Sequence, residues 1–207
     1  GNPVRQEIRE RAAGVGREAA RRTHGLDDRP FVVVFGGSLG ARRINRAVFE
    51  AMRDWDGGEI VVHHVLGSRD WKAPDFVRHA ASATVEHRVV EYEHDLPTAL
   101  VAADLVLARS GATTVAELGV IGVPSLLVPL PGAPDDHQVA NAHLLADAGG
   151  ARVLADEEVD GRRLRVELVE LLGDVDCRQA MAEAAAGVGI PDAADRVVDL
   201  IREHADA

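Results

Sequence analysis

Two turns rich in small residues stand where apolar runs give way to amphipathic stretches, and both suit an anion. In the first, Val32-Val33-Val34-Phe35 leads into Gly36-Gly37-Ser38-Leu39-Gly40-Ala41. Glycines let a backbone approach a ligand closely, and the free amides at the start of the helix that follows favour a phosphate. The same residues also make an ordinary strand-to-helix turn with no ligand. In the second, Asp104 to Ala108 delivers Arg109-Ser110-Gly111-Ala112-Thr113 into a helix, a second nest of amides and hydroxyls. Glu117 follows Thr113 by about one helical turn and shares its face. A carboxylate there can accept hydrogen bonds from the two vicinal hydroxyls of a ribose, although a glutamate early in a helix equally complements the helix dipole. A third group follows the proline-rich stretch Pro129 to Pro134, where Gln138 and Asn141 present amides suited to sugar hydroxyls. Each residue alone also fits an ordinary polar helix start; their joint placement after three strands favours a ligand.

Other chemistries are less well served. A dinucleotide fold places an acid at the tip of the second strand to hold a ribose. Here that strand ends in Val65-Leu66-Gly67-Ser68, and GGSLGA lacks the third glycine of the fingerprint. Among nine histidines, His137 lies closest to the third group, where a helix-start polar residue usually serves the backbone. His63 and His64 alternate across a strand and cannot share a side. No HExxH or CxxC spacing suggests a metal. Cys177 is the single cysteine, which fits a reducing cytoplasm and a small apolar position on a helix. With 34 acidic against 23 basic residues the formal charge is -11, a field that repels nucleic acid and an anionic bilayer.

The elements that must position these groups alternate as βαβ units do. Strands are expected at Phe31 to Phe35, Ile60 to Leu66, Arg88 to Tyr92, Asp104 to Ala108, Ser125 to Pro129 and Ala151 to Leu154. Helices are expected at Val4 to Arg22, Gly40 to Arg53, Leu96 to Ala102, Thr113 to Ile121, His137 to Ala148, Arg162 to Leu172, Cys177 to Ala186 and Pro191 to His204. The result is an α/β fold, a Rossmann-like doubly wound six-stranded parallel sheet. At 207 residues and 46% apolar, one domain over residues 1–207 is expected, with 174–207 as a C-terminal helical tail. No apolar run approaches the roughly 18 residues of a membrane span. The opening on Gly1 and the motif beside it read as cut from a longer protein.

Five motifs in order, GNPVR at 1–5, GGSLGARRIN at 36–45, RSGATTVAEL at 109–118, GVPSLLVP at 122–129 and DHQVANA at 136–142, resemble the C-terminal domain of the MurG family of GT-B glycosyltransferases. The resemblance covers nearly the whole chain. It implies the donor half of a two-domain enzyme that holds UDP-N-acetylglucosamine and needs neither metal nor other cofactor. Carried over by motif, Arg5 and Ser38 would face the diphosphate, Ala112 and Thr113 would offer backbone contacts, Glu117 would hold the ribose, and Gln138, with Asn141 beside it, would read the sugar. The uracil would be read by backbone groups of Tyr92, Glu93 and His94, where the family usually has an apolar residue in place of Glu93. The resemblance further implies inverting transfer to a lipid-linked muramoyl peptide, in peptidoglycan biosynthesis at the cytoplasmic face of the membrane. The acceptor site, the membrane contact and the general base would belong to an N-terminal half that these residues lack, so this chain alone should be inactive. Two alternatives remain open: a stand-alone nucleotide-sugar-binding subunit that works with a separate acceptor-binding chain, and a sugar-nucleotide epimerase or oxidoreductase on a similar sheet.

Overall fold

The computed structural model describes residues 2–14 and 16–205. Six short strands, β1 (Phe31–Phe35), β2 (Ile60–Val65), β3 (Val85–Val90), β4 (Leu105–Ala108), β5 (Ser125–Leu127) and β6 (Ala151–Val153), form one sheet in the order β3-β2-β1-β4-β5-β6. Every pairing is parallel. The chain therefore winds outward from β1 through β2 to β3, then returns past β1 to build β4, β5 and β6. That reversal leaves a switch point between the carboxyl ends of β1 and β4, where open α/β sheets bind ligands.

Alternation along each strand divides the core. Val32 and Val34 pack with Ile44, Val48, Met52, Leu164 and Leu168 on one face of the sheet. Phe31, Val33 and Phe35 pack with Ile8, Ala20, Leu100, Leu118 and Leu145 on the other. Both faces are covered, which is why β1, β2 and β4 read as near-continuous apolar runs rather than as alternating ones. The first face is supplied by α3 (Arg42–Arg53) and α8 (Gly161–Gly173); the second by α1 (Gln6–Gly14), α2 (Arg17–Thr23), α5 (Leu96–Ala102), α6 (Ala112–Ile121) and α7 (His137–Ala146); α9 (Val175–Val188) gives Met181 to the first and Ala185 to the second. Two further α-helices, α4 (Ser68–Trp71) and α10 (Ala193–Ala205), and two 3-10 turns, Pro134–Asp136 and Asp156–Glu158, complete the described elements. No helix among the described residues is long and apolar enough to cross a membrane.

Three expectations need correction. The helix expected from Val4 to Arg22 is two helices, with Gly14 closing α1 and Gly16 standing before α2; glycine is the poorest helix former after proline. Val15 and Gly1 lie outside the described residues. The third strand runs from Val85 to Val90 rather than from Arg88 to Tyr92, because its pairing with β2 begins at Ile60 and Val85. The short α4 was not expected at all; a single turn carries too little periodicity to show in a sequence.

Candidate functional site

The turns after β1, β4 and β5 feed α3, α6 and α7 at the carboxyl edge of the sheet. None of these three helices has a side-chain cap: Ala41, Gly111 and Asp136 precede them without a capping hydrogen bond. Farther out, α4 likewise starts on Gly67 without a side-chain cap, whereas α5 and α8 are capped. Asp95 accepts from the Thr98 amide to cap α5, and Asp160 accepts from the Arg163 amide to cap α8. The starts of α3, α6 and α7 thus stand around the switch point with their first-turn amides available, where the helix dipoles favour a negative charge.

The first turn is locked by backbone packing. Gly37 and Gly40 have φ of 88° and 83°. A Cβ on Gly40 would collide with the Leu66 carbonyl oxygen, and one on Gly67 would collide with the Gly40 backbone. The Ser68 amide donates to the Ser38 carbonyl at 3.2 Å, so the turns after β1 and β2 interlock.

Beside this turn lies a cavity of about 180 Å³, lined by Arg5, Gly37, Ser38 and the loop Glu91 to His94. Arg5 reaches Glu117 through a fork, Nε to Oε1 at 2.7 Å and Nη2 to Oε2 at 3.2 Å. Glu117 is buried, its side chain 5% exposed, whereas that of Arg5 is 48% exposed. The hydrogen bond it donates to the Glu117 carboxylate holds the guanidinium above its ordinary range. Arg5 and Ser38 therefore share one cavity, and the guanidinium joins it to the helix that carries Ala112, Thr113 and Glu117.

Glu93 lies in that wall, but its carboxylate turns inward: Oε2 meets His63 Nε2 at 2.7 Å and Oε1 accepts from the Asp95 amide at 2.8 Å. Exposed Tyr92 packs edge-on to His94. Burial pushes the His63 imidazole below its usual value, against the pull of Glu93. His64, on the opposite face of β2, contacts Asn45 and His87 instead, so the paired histidines do point apart.

Around the second and third turns, buried Ser110 joins α6 to α7: its hydroxyl donates to the Gln138 carbonyl at 2.7 Å and its carbonyl accepts from Asn141 Nδ2 at 3.1 Å. Gln138 Oε1 accepts from the Leu130 amide at 3.0 Å, which leaves the Nε2 donor of Gln138 available to a ligand. Asn141 is committed to Ser110 through its donor. Ala112 and Thr113 are exposed at the start of α6. His137 Nδ1 bonds the Pro134 carbonyl at 2.7 Å, the backbone service expected of it. Three contributors escaped the sequence reading. Arg109 donates to the Val128 and Pro129 carbonyls and pairs with Asp156, which fixes the loop before α7. His63 holds the Tyr92 to His94 loop through Glu93. Asn45 sits beneath the glycine turn; a polar residue on the apolar face of α3, between Ile44 and Ala47, is the signal that would have found it.

Comparison with known proteins follows this geometry. The sequence profile described as the glycosyltransferase family 28 C-terminal domain matches residues 31–197. Two bacterial proteins named UDP-N-acetylglucosamine--N-acetylmuramyl-(pentapeptide) pyrophosphoryl-undecaprenol N-acetylglucosamine transferase are similar. The one from Halorhodospira halophila is 42% identical over 205 residues, 99% of this chain and 56% of that protein. The one from Exiguobacterium sp. is 38% identical over 204 residues, 98% of this chain and 54% of that protein. The crystal structure of Acinetobacter baumannii MurG superposes with a TM-score of 0.79 at 32% identity, over 93% of this chain and 54% of that one. WaaG, a glycosyltransferase involved in lipopolysaccharide biosynthesis, has a TM-score of 0.64 at 21% identity over 92% of this chain and 50% of its own, a likeness of fold alone. The chain spans about half the length of the curated relatives it matches.

Proposed function

Since the chain belongs to the glycosyltransferase family 28 C-terminal domain family, we propose that it is the donor-binding half of an inverting glycosyltransferase and holds UDP-N-acetylglucosamine at the carboxyl edge of its sheet. The observation that carries this reading is the trio of uncapped helix starts around the switch point, with Arg5, held by Glu117 of α6, lining the cavity beside the first of them.

The diphosphate sits over the glycine turn, facing Ser38 and Arg5. Glu117 accepts from the ribose hydroxyls, the Ala112 and Thr113 amides close the first turn of α6 around the ligand, and Gln138 Nε2 donates to the sugar. The backbone of Tyr92, Glu93 and His94 reads the uracil, while the Glu93 carboxylate serves as the anchor of that loop. Asn141 acts by holding Ser110 and so stands behind the sugar rather than against it. Bound diphosphate competes with Glu117 for Arg5, and Glu117 then turns its released oxygens to the ribose.

In the reaction an acceptor hydroxyl forms a bond to the anomeric carbon while the bond from that carbon to the diphosphate oxygen breaks, with inversion. The electron pair leaves with UDP, and helix-start amides plus Arg5 neutralise the developing charge. The acceptor is a lipid-linked muramoyl peptide, as the names of the relatives state for those proteins. It is held, together with the base that takes the hydroxyl proton, by residues outside this chain, in a protein that works at the cytoplasmic face of the membrane. The tip of β2 does not favour a nicotinamide cofactor. Asp70, the carboxylate that follows β2, is 1% exposed and sealed by Arg42 and Asn45.

The test is UDP release from UDP-N-acetylglucosamine with a lipid-linked muramoyl acceptor, run on this chain alone and on a protein that also carries the N-terminal half of a relative. Turnover only in the second supports the division of labour. Robust acceptor-dependent turnover by the 207 residues alone would show that the acceptor site and base lie within them.

A further inference from the structure

A chain of buried polar side chains runs beneath the glycine turn and takes no part in the chemistry above. Asn45, His64 and Asp70 are 0%, 0% and 1% exposed. Asn45 Nδ2 donates to the Leu66 carbonyl at 2.8 Å and to Asp70 Oδ2 at 2.7 Å. Arg42 Nε holds the other Asp70 oxygen at 2.7 Å. His64 Nε2 lies 3.0 Å from Asn45 Oδ1, and His64 Nδ1 lies 3.2 Å from His87 Nε2.

Only one proton order satisfies this chain. Two acceptors face Asn45 Nδ2, which fixes the amide orientation and turns Oδ1 toward His64. His64 Nε2 therefore carries the hydrogen and donates to Oδ1. Its Nδ1 must then accept, so His87 Nε2 is the donor. Each member is committed in one direction, and the chain ends on the Leu66 carbonyl, the group against which Gly40 packs.

We propose that Asn45 is a positioning residue for the donor: it holds the Leu66–Gly67 backbone where it forces Gly37 to Gly40 into the conformation that presents amides to a diphosphate. The proposal rests on the reading of that turn as the diphosphate seat. Asn45 itself touches no ligand. It acts through Leu66 and Gly40, and its placement is set by His64 and His87 from β2 and β3 and by Asp70 and Arg42 from α4 and α3.

The experiment compares wild type, Asn45→Ala and the milder Asp70→Asn for binding of UDP and of uridine, with cooperative thermal melting as the check on folding. Loss of the amide should weaken UDP about tenfold, the effect of leaving buried partners unpaired beside the site, while uridine, which lacks the diphosphate, binds as before. Asp70→Asn, which removes one acceptor, should shift UDP in the same direction by less. Equal losses for UDP and uridine, or unchanged UDP affinity in a folded variant, would overturn the proposal. Ring-nitrogen NMR of the wild type decides the proton order without any variant: hydrogen on Nε2 of both His64 and His87 is expected, and hydrogen on His64 Nδ1 would refute it. Should Asn45→Ala fail to fold, Asp70→Asn and the NMR carry the test. Wild type that binds no UDP would sink the donor reading itself, whereas normal wild-type binding with unaffected variants sinks only the positioning role.

Discussion

Replacing Glu117 by alanine should weaken UDP without weakening inorganic pyrophosphate. Unliganded, the Glu117 carboxylate is bound in a fork by Arg5. Deleting it leaves a guanidinium that is 48% exposed and free to hydrate, so the stability cost should be small, roughly 1 kcal/mol at the upper end for half-exposed pairs. Arg5→Ala instead strands a carboxylate that is 5% exposed, which should cost more, roughly 3 kcal/mol, the lower end for a broken buried pair. For ligands the balance differs. UDP loses the ribose acceptor, about 1.5 to 3 kcal/mol for hydrogen bonds to a charged group. It regains up to about 1 kcal/mol because Arg5 no longer leaves a partner when it turns to the phosphates. The net expectation is about 0.5 to 3 kcal/mol, or roughly 2- to 150-fold weaker binding. Inorganic pyrophosphate has no ribose and should bind as well or up to about fivefold tighter. Calorimetric titration of both ligands, with urea melts of Glu117→Ala and Arg5→Ala, gives all four numbers. If both ligands weaken together, or if Glu117→Ala destabilises more than Arg5→Ala, the exchange of Arg5 between carboxylate and phosphate is wrong.

Acid should destabilise the fold as its buried histidines take up protons. Burial lowers His24, His63 and His64, and takes His87 from 6.5 down to about 4. The unfolded chain therefore binds more protons between these values, and stability falls as pH drops from 6.5 toward 4; His87 alone accounts for about 3 kcal/mol over that window. Urea midpoints measured across it should decline, with a shallower slope in His87→Gln, and a flat profile would contradict this. Gly40→Ala and Gly37→Ala separate backbone conformation from space. Both have positive φ, but a Cβ at Gly37 meets open space while one at Gly40 meets the Leu66 carbonyl. Gly37→Ala should cost about 1 kcal/mol of stability and Gly40→Ala clearly more, with loss of UDP binding; equal melting temperatures would refute the interlocked turns.

What could be read in advance was what repeats locally. Buried parallel strands announce themselves as runs such as Phe31 to Phe35, and each anion-favouring turn is marked by glycine or small residues at the end of such a run. The fork between Arg5 and Glu117 joins residues 112 positions apart, and no local pattern encodes it. The family resemblance points to the backbone of Glu93, and only the fold shows its carboxylate turned to His63. Asn45 lay inside a recognised motif, yet its partners His64, Leu66 and Asp70 come from β2 and the turn beyond it, so its task became visible only once α3 was packed on the sheet. The break between α1 and α2 was legible in Gly14 and Gly16, against the amphipathic pattern that joined them.

The most direct test of the account is calorimetric titration of this chain with UDP-N-acetylglucosamine, with a nicotinamide dinucleotide as the competitor. Uncapped amides at α3, α6 and α7, Arg5 in the cavity and a sealed Asp70 predict saturable one-to-one binding of the sugar nucleotide, with the dinucleotide much weaker. Equal or reversed affinities would contradict the assignment of this sheet edge to a nucleotide-sugar donor.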